Sequence, residues 1–339
     1  MSALEASPDI AAPRRIGLGS PFQWIMGLFL LVYPALATPF FTFQIGAYSL
    51  ILGIIALSLM VLAGYGGMVC LAQMTIAGLT GYMVAIFGHN SLGLGLDWPW
   101  WIAVPIAIAI AVLFAVGTSL LAIRTAGIYT IMITLAIGVA LYLFALQNYP
   151  IFNGHSGFAG IAPPVLFGIN WRDPVPFYYL ALAIAVACYA GTVYVARAPF
   201  GLALQAIRDN PRRMEALGFN VKAHRVAAYA GSGIIAAVGG VLLVWFDGRI
   251  SPGTISVDRL IDILVIAVVG GLRHPAGPFL GAIFFVLLDN FAIDLVNAER
   301  FNTVIGLTFL AIVLFSPDGL LGLWEKLSRA LSIKADPGA

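Results

Sequence analysis

The chain has 339 residues, of which 61% are hydrophobic and 9% are charged, and its mean hydropathy is +0.99. A soluble globular chain carries roughly 45–50% apolar and about 25% charged residues, so this composition excludes an ordinary soluble fold and favours a membrane protein in contact with lipid. The formal net charge of +2 gives no indication of a nucleic-acid partner.

Ten apolar segments predict an all-α, polytopic helix bundle, because about 20 helical residues cross a hydrocarbon core of roughly 30 Å. The predicted spans are 23–43, 45–63, 68–88, 102–123, 126–147, 177–196, 225–246, 260–272, 277–296 and 302–316. Segment 260–272 is short and runs into Gly270, Gly271 and Pro275, so the number of full spans lies between eight and ten. The bundle then occupies residues 23–316, with an N-terminal tail of residues 1–22 and a C-terminal tail of residues 317–339.

The distribution of basic residues predicts that both tails are cytoplasmic. Thirteen of the 17 Lys and Arg residues fall in segments on the same side as the N-terminus, and the other four, at positions 172, 249, 259 and 300, fall on the opposite side. Cytoplasmic loops carry such an excess of Lys and Arg. An even number of spans follows from this orientation.

Glycines and a few polar residues lie in or beside the second, third and fifth predicted spans and in the short segment 260–272. Small residues let helices pack closely in lipid, and this is the simpler explanation of the glycines. The alternative is a broken helix whose backbone lines a cavity. On that hypothesis the candidate translocation-path residues are Gly64, Gly66, Gly67, Gln73, Thr75, Gly78, Thr134 and Asp262.

Three aspartates within the later spans, Asp262, Asp289 and Asp294, require an explanation. A carboxylate at the centre of a bilayer costs roughly 2.5–3.5 kcal/mol or more, and Arg259 lies one helical turn from Asp262 as a partner. Asp289 and Asp294 are about 140° apart around a helix, so they do not form a paired-carboxylate site. This spacing argues against proton coupling.

No pattern typical of a catalytic or metal site is present. The P-loop sequence G-x-x-x-x-G-K-[ST] does not occur, so an energy source for transport has to be a partner or an ion gradient. Cys70 and Cys188 both lie in apolar segments and indicate neither a disulfide framework nor a metal site. We therefore predict that the chain is not an enzyme and binds no cofactor.

The basic loop (residues 197–225) lies between two spans and holds a predicted short helix at 211–218. Asn210 suits the N-cap, Pro211 the first helical position and Gly218 the left-handed residue that ends a helix. Met214 and Leu217 are three residues apart and are predicted to share an apolar face. The simple interpretation is a solvated loop that obeys the positive-inside rule. The sharper one is a rigid helix that docks into a groove on a cytoplasmic partner.

This loop resembles that of the LivM-type permeases of branched-chain amino acid ABC importers. The resemblance rests on Phe200-Gly201, on Ala206 to Asn210, and on Glu215-Ala216-x-Gly218. Other parts of the chain also resemble the family: Gly64-Tyr65-Gly66-Gly67, Gly78-x-x-Gly81-Tyr82, Gly127-x-Tyr129 with Thr134-Leu135-Ala136, Gly154, Gly157 and Gly160, and Gly270-Gly271 with Gly277-Pro278 and Gly281-Ala282. Cys70 and Gln73 stand where the family often has Ser and His.

The resemblance implies a multi-pass permease in the bacterial inner membrane that pairs with a LivH-like permease subunit. It also implies two cytoplasmic ATPase subunits, which bind the ATP and Mg²⁺, and an extracytoplasmic solute-binding protein that meets loops 89–101, 147–176 and 247–259. The implied ATPase-coupling residues are Ala206, Ile207, Arg208, Asp209, Asn210, Pro211, Met214, Glu215, Ala216, Leu217 and Gly218.

Two alternatives to an ABC importer permease stay open at this point. A secondary transporter or channel needs an ion-coupling site, for which the sequence offers only isolated aspartates. A membrane-embedded enzyme needs ionisable residues clustered at one depth, and the sequence shows no such cluster. The solute is a branched-chain amino acid, another amino acid, a short amide or urea.

Overall fold

The computed structural model describes most of the membrane bundle. The described residues are 30–34, 37–90, 93, 95–125, 127–165 and 170–295, together with positions 306, 310, 319, 320 and 322. The predicted tails 1–22 and 317–339 and the span 302–316 lie outside these ranges or touch them only at those isolated positions. The side chain of Asp294 also lies outside the described part.

The described chain is almost entirely helical, as expected from its apolar segments. Its helices are α1 (Phe41–Tyr65), α2 (Gln73–Phe87), α3 (Trp100–Ala122), α4 (Ile128–Gln147), α5 (Tyr149–Phe152), α6 (Pro174–Arg197), α7 (Pro199–Asp209), α8 (Pro211–Ala216), α9 (Val221–Asp247), α10 (Val257–Gly270) and α11 (Gly277–Leu295). Short 3-10 turns cover Gly154–Ser156 and Pro252–Ile255, and two-residue strands β1 (Phe158–Ala159) and β2 (Arg249–Ile250) pair antiparallel.

Five of these helices, α1, α3, α4, α6 and α9, are long and apolar enough to cross a membrane, and Gln73–Phe87 and Gly277–Phe291 are shorter apolar helices. This confirms an all-α membrane helix bundle. The predicted count of eight to ten spans and the cytoplasmic position of both termini stay predictions. The predicted span 68–88 is corrected at its start, because α2 begins only at Gln73.

The centre of the bundle is α1, with α9 beside it. The most apolar window of α1 is 83% buried within this chain, against 22% for α4 and α6. Both ends of α1 widen into π-helix, at Phe41–Ala47 and at Val61–Tyr65. One large cluster of buried apolar side chains joins α1 to α6, α9, α10 and α11. Any movement of α1 therefore has to displace most of its neighbours.

Small residues allow the helices around this core to approach closely. The buried face of α3 carries alanines four residues apart, at positions 103, 107, 111 and 115, and Ala111 and Ala115 pack against Ala236 and Ala237 of α9. Without a hydrophobic driving force between helices in lipid, such close van der Waals packing is what holds a membrane bundle together. The glycines of α9 serve the same purpose, since Gly240 lies against the backbone of Ala77 in α2.

The connections between helices collect at two opposite ends of the bundle. At one end, β1 pairs with β2 through Phe158 opposite Ile250, and the amide of Ile161 donates to the carbonyl of Gly248 at 3.0 Å. The other end holds the basic loop and two interruptions in the helices: residues 64–67, called here the first break, and residues 270–278, the second break. The chain thus has one end with paired loops and one end with broken helices.

Candidate functional site

The basic loop folds into two helices, α7 and α8, of which only the second is predicted from sequence. Pro199 starts α7 at its first helical position, and the helix buries Ala203, Leu204 and Ile207. These buried positions are three and four residues apart, which is the spacing that predicts an amphipathic helix. The polar residues around them make this pattern difficult to recognise in the sequence. The loop is therefore a rigid, packed element from Pro199 to the start of α9.

Both predicted caps of α8 are confirmed. The side-chain oxygen of Asn210 accepts from the amide of Arg213 at 3.0 Å, and Pro211 occupies the first helical position. Gly218 has a φ of +88°, its amide donates to the carbonyl of Glu215, and the next amide, of Phe219, donates to the carbonyl of Met214, each at 3.0 Å. This pair of bonds is the Schellman motif, which satisfies carbonyls that the helix end leaves free.

The predicted shared face of Met214 and Leu217 is wrong. Met214 is 7% exposed and packs into a small core with Ala203, Ile207 and Val221, whereas Leu217 is 67% exposed. Three residues turn a helix by about 300°, so the side chain of Leu217 lies about 60° around the axis from that of Met214 and falls outside the face covered by α7 and α9. Met214 fastens α8 to α7 and α9, and the surface available to a partner is the exposed tip, made of Glu215, Leu217 and Phe219.

Arg208, at the end of α7, connects the basic loop to the first break. Its Nη1 donates to the carbonyl of Gly64, while its Nε donates to the Asp209 carboxylate at 3.0 Å. Its aliphatic stem lies on Gly67, where an added Cβ would meet Arg208 Cγ at 2.6 Å. The structure therefore brings together Arg208 from the predicted coupling set and Gly64 and Gly67 from the predicted path set, which are about 140 residues apart in sequence.

The first break also contacts the second break. An added Cβ on Gly64 would collide with the carbonyl oxygen of Leu272, which follows α10. The sequence marks both breaks through their glycines, but nothing in it indicates that Leu272 is a neighbour of Gly64. The two breaks and the C-terminal end of α7 form a junction at one end of the bundle.

Gln73, a candidate path residue, is fully buried and joins three helices. Its Oε1 accepts from the hydroxyl of Ser58 in α1 at 2.9 Å, and its Nε2 donates to the hydroxyl of Ser232 in α9 at 3.4 Å. Neither serine could be predicted as a partner from sequence, because they lie 15 and 159 residues away. The geometry assigns Gln73 a packing contact, and a lining role stays a prediction.

The other candidate path residues divide between packing contacts and the junction. Thr134 Oγ1 accepts from the amide of Leu71 at 3.1 Å, which holds the irregular segment before α2. Gly78 packs on Ile255. Gly66 is buried near Met68, and Thr75 is fully buried with no hydrogen-bond partner for its hydroxyl. Gly64 and Gly67 contact Arg208 at the junction, and Gly66 lies between them.

Asp262 forms an ion pair with Arg259, as its position one turn away predicts. Nη1 of Arg259 lies 3.5 Å from Oδ2 of Asp262. The arginine thus supplies the countercharge that a carboxylate in a membrane helix requires. Among the described residues, no group of three His, Cys, Asp or Glu side chains could hold a metal ion.

Replacing Gln73 by leucine is expected to lower the stability of the bundle by roughly 0.6–1.7 kcal/mol, the range for a hydrogen bond between membrane helices. Thermal unfolding in detergent checks this, with Gln147→Leu on the exposed end of α4 as the control. The apparent KM for solute should not change. An unchanged melting temperature with a raised KM would instead place Gln73 in the path.

Comparison with known proteins identifies a family and several relatives of the chain. The family described as "Branched-chain amino acid transport system / permease component" matches residues 41–313. The chain is 27% identical over 332 residues to the high-affinity branched-chain amino acid transport system permease protein LivM of Escherichia coli strain K12, covering 89% of this chain and 76% of LivM. No solved structure matches the chain.

Two further relatives are named as permease proteins other than LivM. The chain is 34% identical over 142 residues to the probable branched-chain amino acid transport permease protein LivH of Methanocaldococcus jannaschii, covering 39% of this chain and 44% of that protein. It is 24% identical over 235 residues to the ribose import permease protein RbsC of Haemophilus influenzae, covering 65% and 71%.

Proposed function

The chain belongs to the family of permease components of branched-chain amino acid transport systems, and from that premise we propose that it carries a branched-chain amino acid or a similar small polar solute across the bacterial inner membrane. It acts as the LivM-like subunit of an ABC importer and is a transporter component rather than an enzyme. The match over residues 41–313 is the single observation that carries this proposal.

The proposed assembly has four kinds of subunit. A LivH-like permease pairs with this chain in the membrane, and two ATPase subunits on the cytoplasmic side hydrolyse ATP with Mg²⁺, since this chain carries no P-loop. An extracytoplasmic solute-binding protein delivers the solute to the end of the bundle where β1 pairs with β2.

Solute identity is proposed from the names of the relatives. LivM and LivH are named for branched-chain amino acids, and RbsC is named for ribose. These solutes are all small and polar enough to need a protein path through the bilayer. Leucine is the first solute to test, because the relative that covers most of this chain is named for branched-chain amino acids.

The structure of the basic loop supports docking of an ATPase at α8. A helix capped at both ends and fastened to the bundle through Met214 transmits force better than a mobile loop. The exposed tip offers two apolar side chains, Leu217 and Phe219, which are 67% and 40% exposed. Exposed apolar anchors inserted into a groove are a recurrent mode of helix recognition.

The ion pair of Asp262 with Arg259 makes the stand-alone secondary transporter the weaker hypothesis. A proton- or ion-coupling carboxylate has to change its partner during transport, and this one already has an arginine one turn away. The basic loop has no role in such a transporter, whereas an ATPase-driven permease requires a cytoplasmic docking element.

Leu217→Asp is expected to weaken binding of the ATPase subunits by roughly 30-fold or more, because truncating an anchor of an interface costs about 2 kcal/mol or more. The measurement is co-purification of tagged wild-type and variant chains with the ATPase subunits of the proposed importer. Leu96→Asp is the matched control, since Leu96 is 55% exposed in the loop between α2 and α3 at the opposite end. Equal recovery of ATPase with all three chains would contradict docking at the exposed tip.

A further inference from the structure

A backbone carbonyl at the C-terminal end of α1 accepts its hydrogen bond from a residue outside the helix. The last carbonyls of a helix have no partner within it. Here the carbonyl of Leu62 accepts from the amides of both Gly66 and Met68, each at 3.0 Å. The carbonyl of Gly64 accepts instead from the guanidinium of Arg208, 144 residues further along the chain.

Arginine suits this position for three reasons. Its guanidinium presents several donors in a fixed plane, so Nη1 reaches the Gly64 carbonyl while Nε and Nη2 face the Asp209 carboxylate at 3.0 Å. Its positive charge is favourable at the negative end of a helix. Its stem needs a neighbour without a side chain, and Gly67, with a φ of +66°, provides one.

The contact joins the basic loop to the central helix of the bundle. α7 continues directly into α8 and the exposed tip, while α1 lies at the centre of the bundle. Arg208 is 40% exposed, so its bond to Gly64 is not a closed core contact and can follow a displacement of α7. Gly64 in turn lies against Leu272 in the second break.

We infer that Arg208 is the positioning residue that carries a displacement of the basic loop to the C-terminal end of α1, through its guanidinium on Gly64 and its stem on Gly67. The inference rests on the proposed function, since an ATPase has to move α8. Motion of α7 then pulls the first break and, through Gly64 and Leu272, presses on the second. The two breaks move as one unit.

Arg208→Met is the informative variant, because methionine retains an aliphatic stem against Gly67 but has no donor for the Gly64 carbonyl. Arg208→Lys restores one donor and the charge. Lys222→Met is the control, since Lys222 is an exposed cation at the same end of the bundle. Each variant is purified within the whole importer assembly and reconstituted in liposomes.

The expected result for Arg208→Met is normal recovery of the ATPase subunits, ATP hydrolysis near the wild-type rate, and solute uptake reduced about tenfold or more, as the loss of a charged hydrogen bond allows. Arg208→Lys recovers part of the uptake, and Lys222→Met matches wild type. Full uptake by Arg208→Met overturns the inference. Loss of assembly in Arg208→Met also overturns it, because Arg208 is then a structural anchor.

Cys70 provides a second readout that a purely structural role would not change. Cys70 is fully buried and lies three residues after Gly67. The chain has two cysteines, so the substitution Cys188→Ser leaves Cys70 as its single thiol. In this background its rate of modification by a maleimide should change between nucleotide-free and ATP-bound assemblies, and Arg208→Met should abolish the change. An ATP-dependent change that persists in Arg208→Met overturns the inference. Failure of wild type to recover any ATPase subunit would instead overturn the proposed function.

Discussion

Replacing Gly240 by alanine is expected to destabilise the bundle by about 1–3 kcal/mol, the usual cost of forcing one extra carbon into a packed core. A Cβ on Gly240 would lie 2.6 Å from the carbonyl carbon and 2.7 Å from the Cα of Ala77. These are backbone atoms of α2, which cannot rotate away as a side chain can. The helices α2 and α9 would have to separate over their whole contact.

Gly231→Ala is the matched control, because the same substitution on the same helix meets nothing within 4 Å. Thermal unfolding in detergent, followed by circular dichroism and by recovery on size exclusion, compares the two variants. We expect Gly231→Ala to melt at or above the wild-type temperature and Gly240→Ala to melt several degrees below it. Equal melting temperatures would show that the contact of α9 with α2 is looser than described.

Replacing Gly218 by proline is expected to weaken docking of the ATPase subunits while the bundle stays folded. Proline fixes φ near −65°, whereas Gly218 has a φ of +88°, and proline lacks the amide that donates to Glu215. The Schellman bonds are lost, and Leu217 and Phe219 leave their positions. Recovery of ATPase subunits should fall about tenfold or more, as expected when an interface loses an ordered anchor.

Gly218→Asn is the control for this prediction, because asparagine tolerates the left-handed conformation better than other residues with a side chain. It should retain most of the ATPase recovered by wild type. If Gly218→Pro recovers as much ATPase as wild type, the end of α8 does not contribute to docking. If asparagine is as harmful as proline, the loss comes from side-chain bulk at the interface rather than from backbone geometry.

Local features of the basic loop were predictable from sequence because they depend on neighbouring residues. The cap at Asn210 involves Arg213, three residues on, and the termination at Gly218 involves Glu215 and Met214, three and four residues back. The ion pair of Arg259 with Asp262 is predictable for the same reason. Each of these contacts follows from helix geometry alone.

Contacts between distant segments were not predictable. The partners of Gln73 are serines of α1 and α9, and no spacing rule relates positions 58, 73 and 232. Burial of Met214 depends on α7, whose amphipathic spacing was missed, so its side chain was wrongly predicted to face a partner. The contact of Arg208 with Gly64 and Gly67 likewise requires the fold, although the glycines were candidates by their type and Arg208 was a candidate through the family resemblance.

The candidate path residues show why residue type alone does not define a cavity. Buried glycines, threonines and glutamine are needed both for close helix packing and for lining a polar route, and the sequence pattern of the two roles is the same. In the described structure Gln73 bonds to serines of two neighbouring helices, and Gly78 packs on Ile255 in the turn Pro252–Ile255. Gly64 and Gly67 instead connect the first break to Arg208.

The most direct test of the account is uptake of labelled leucine by proteoliposomes that contain the purified importer assembly and its solute-binding protein. We predict uptake that requires ATP on the side of the ATPase subunits, and none by liposomes that hold this chain alone, with or without an imposed ion gradient. Leucine accumulation by the chain alone, driven by an ion gradient and without ATP, would contradict the account and would turn attention to the charged pair of Asp262 and Arg259.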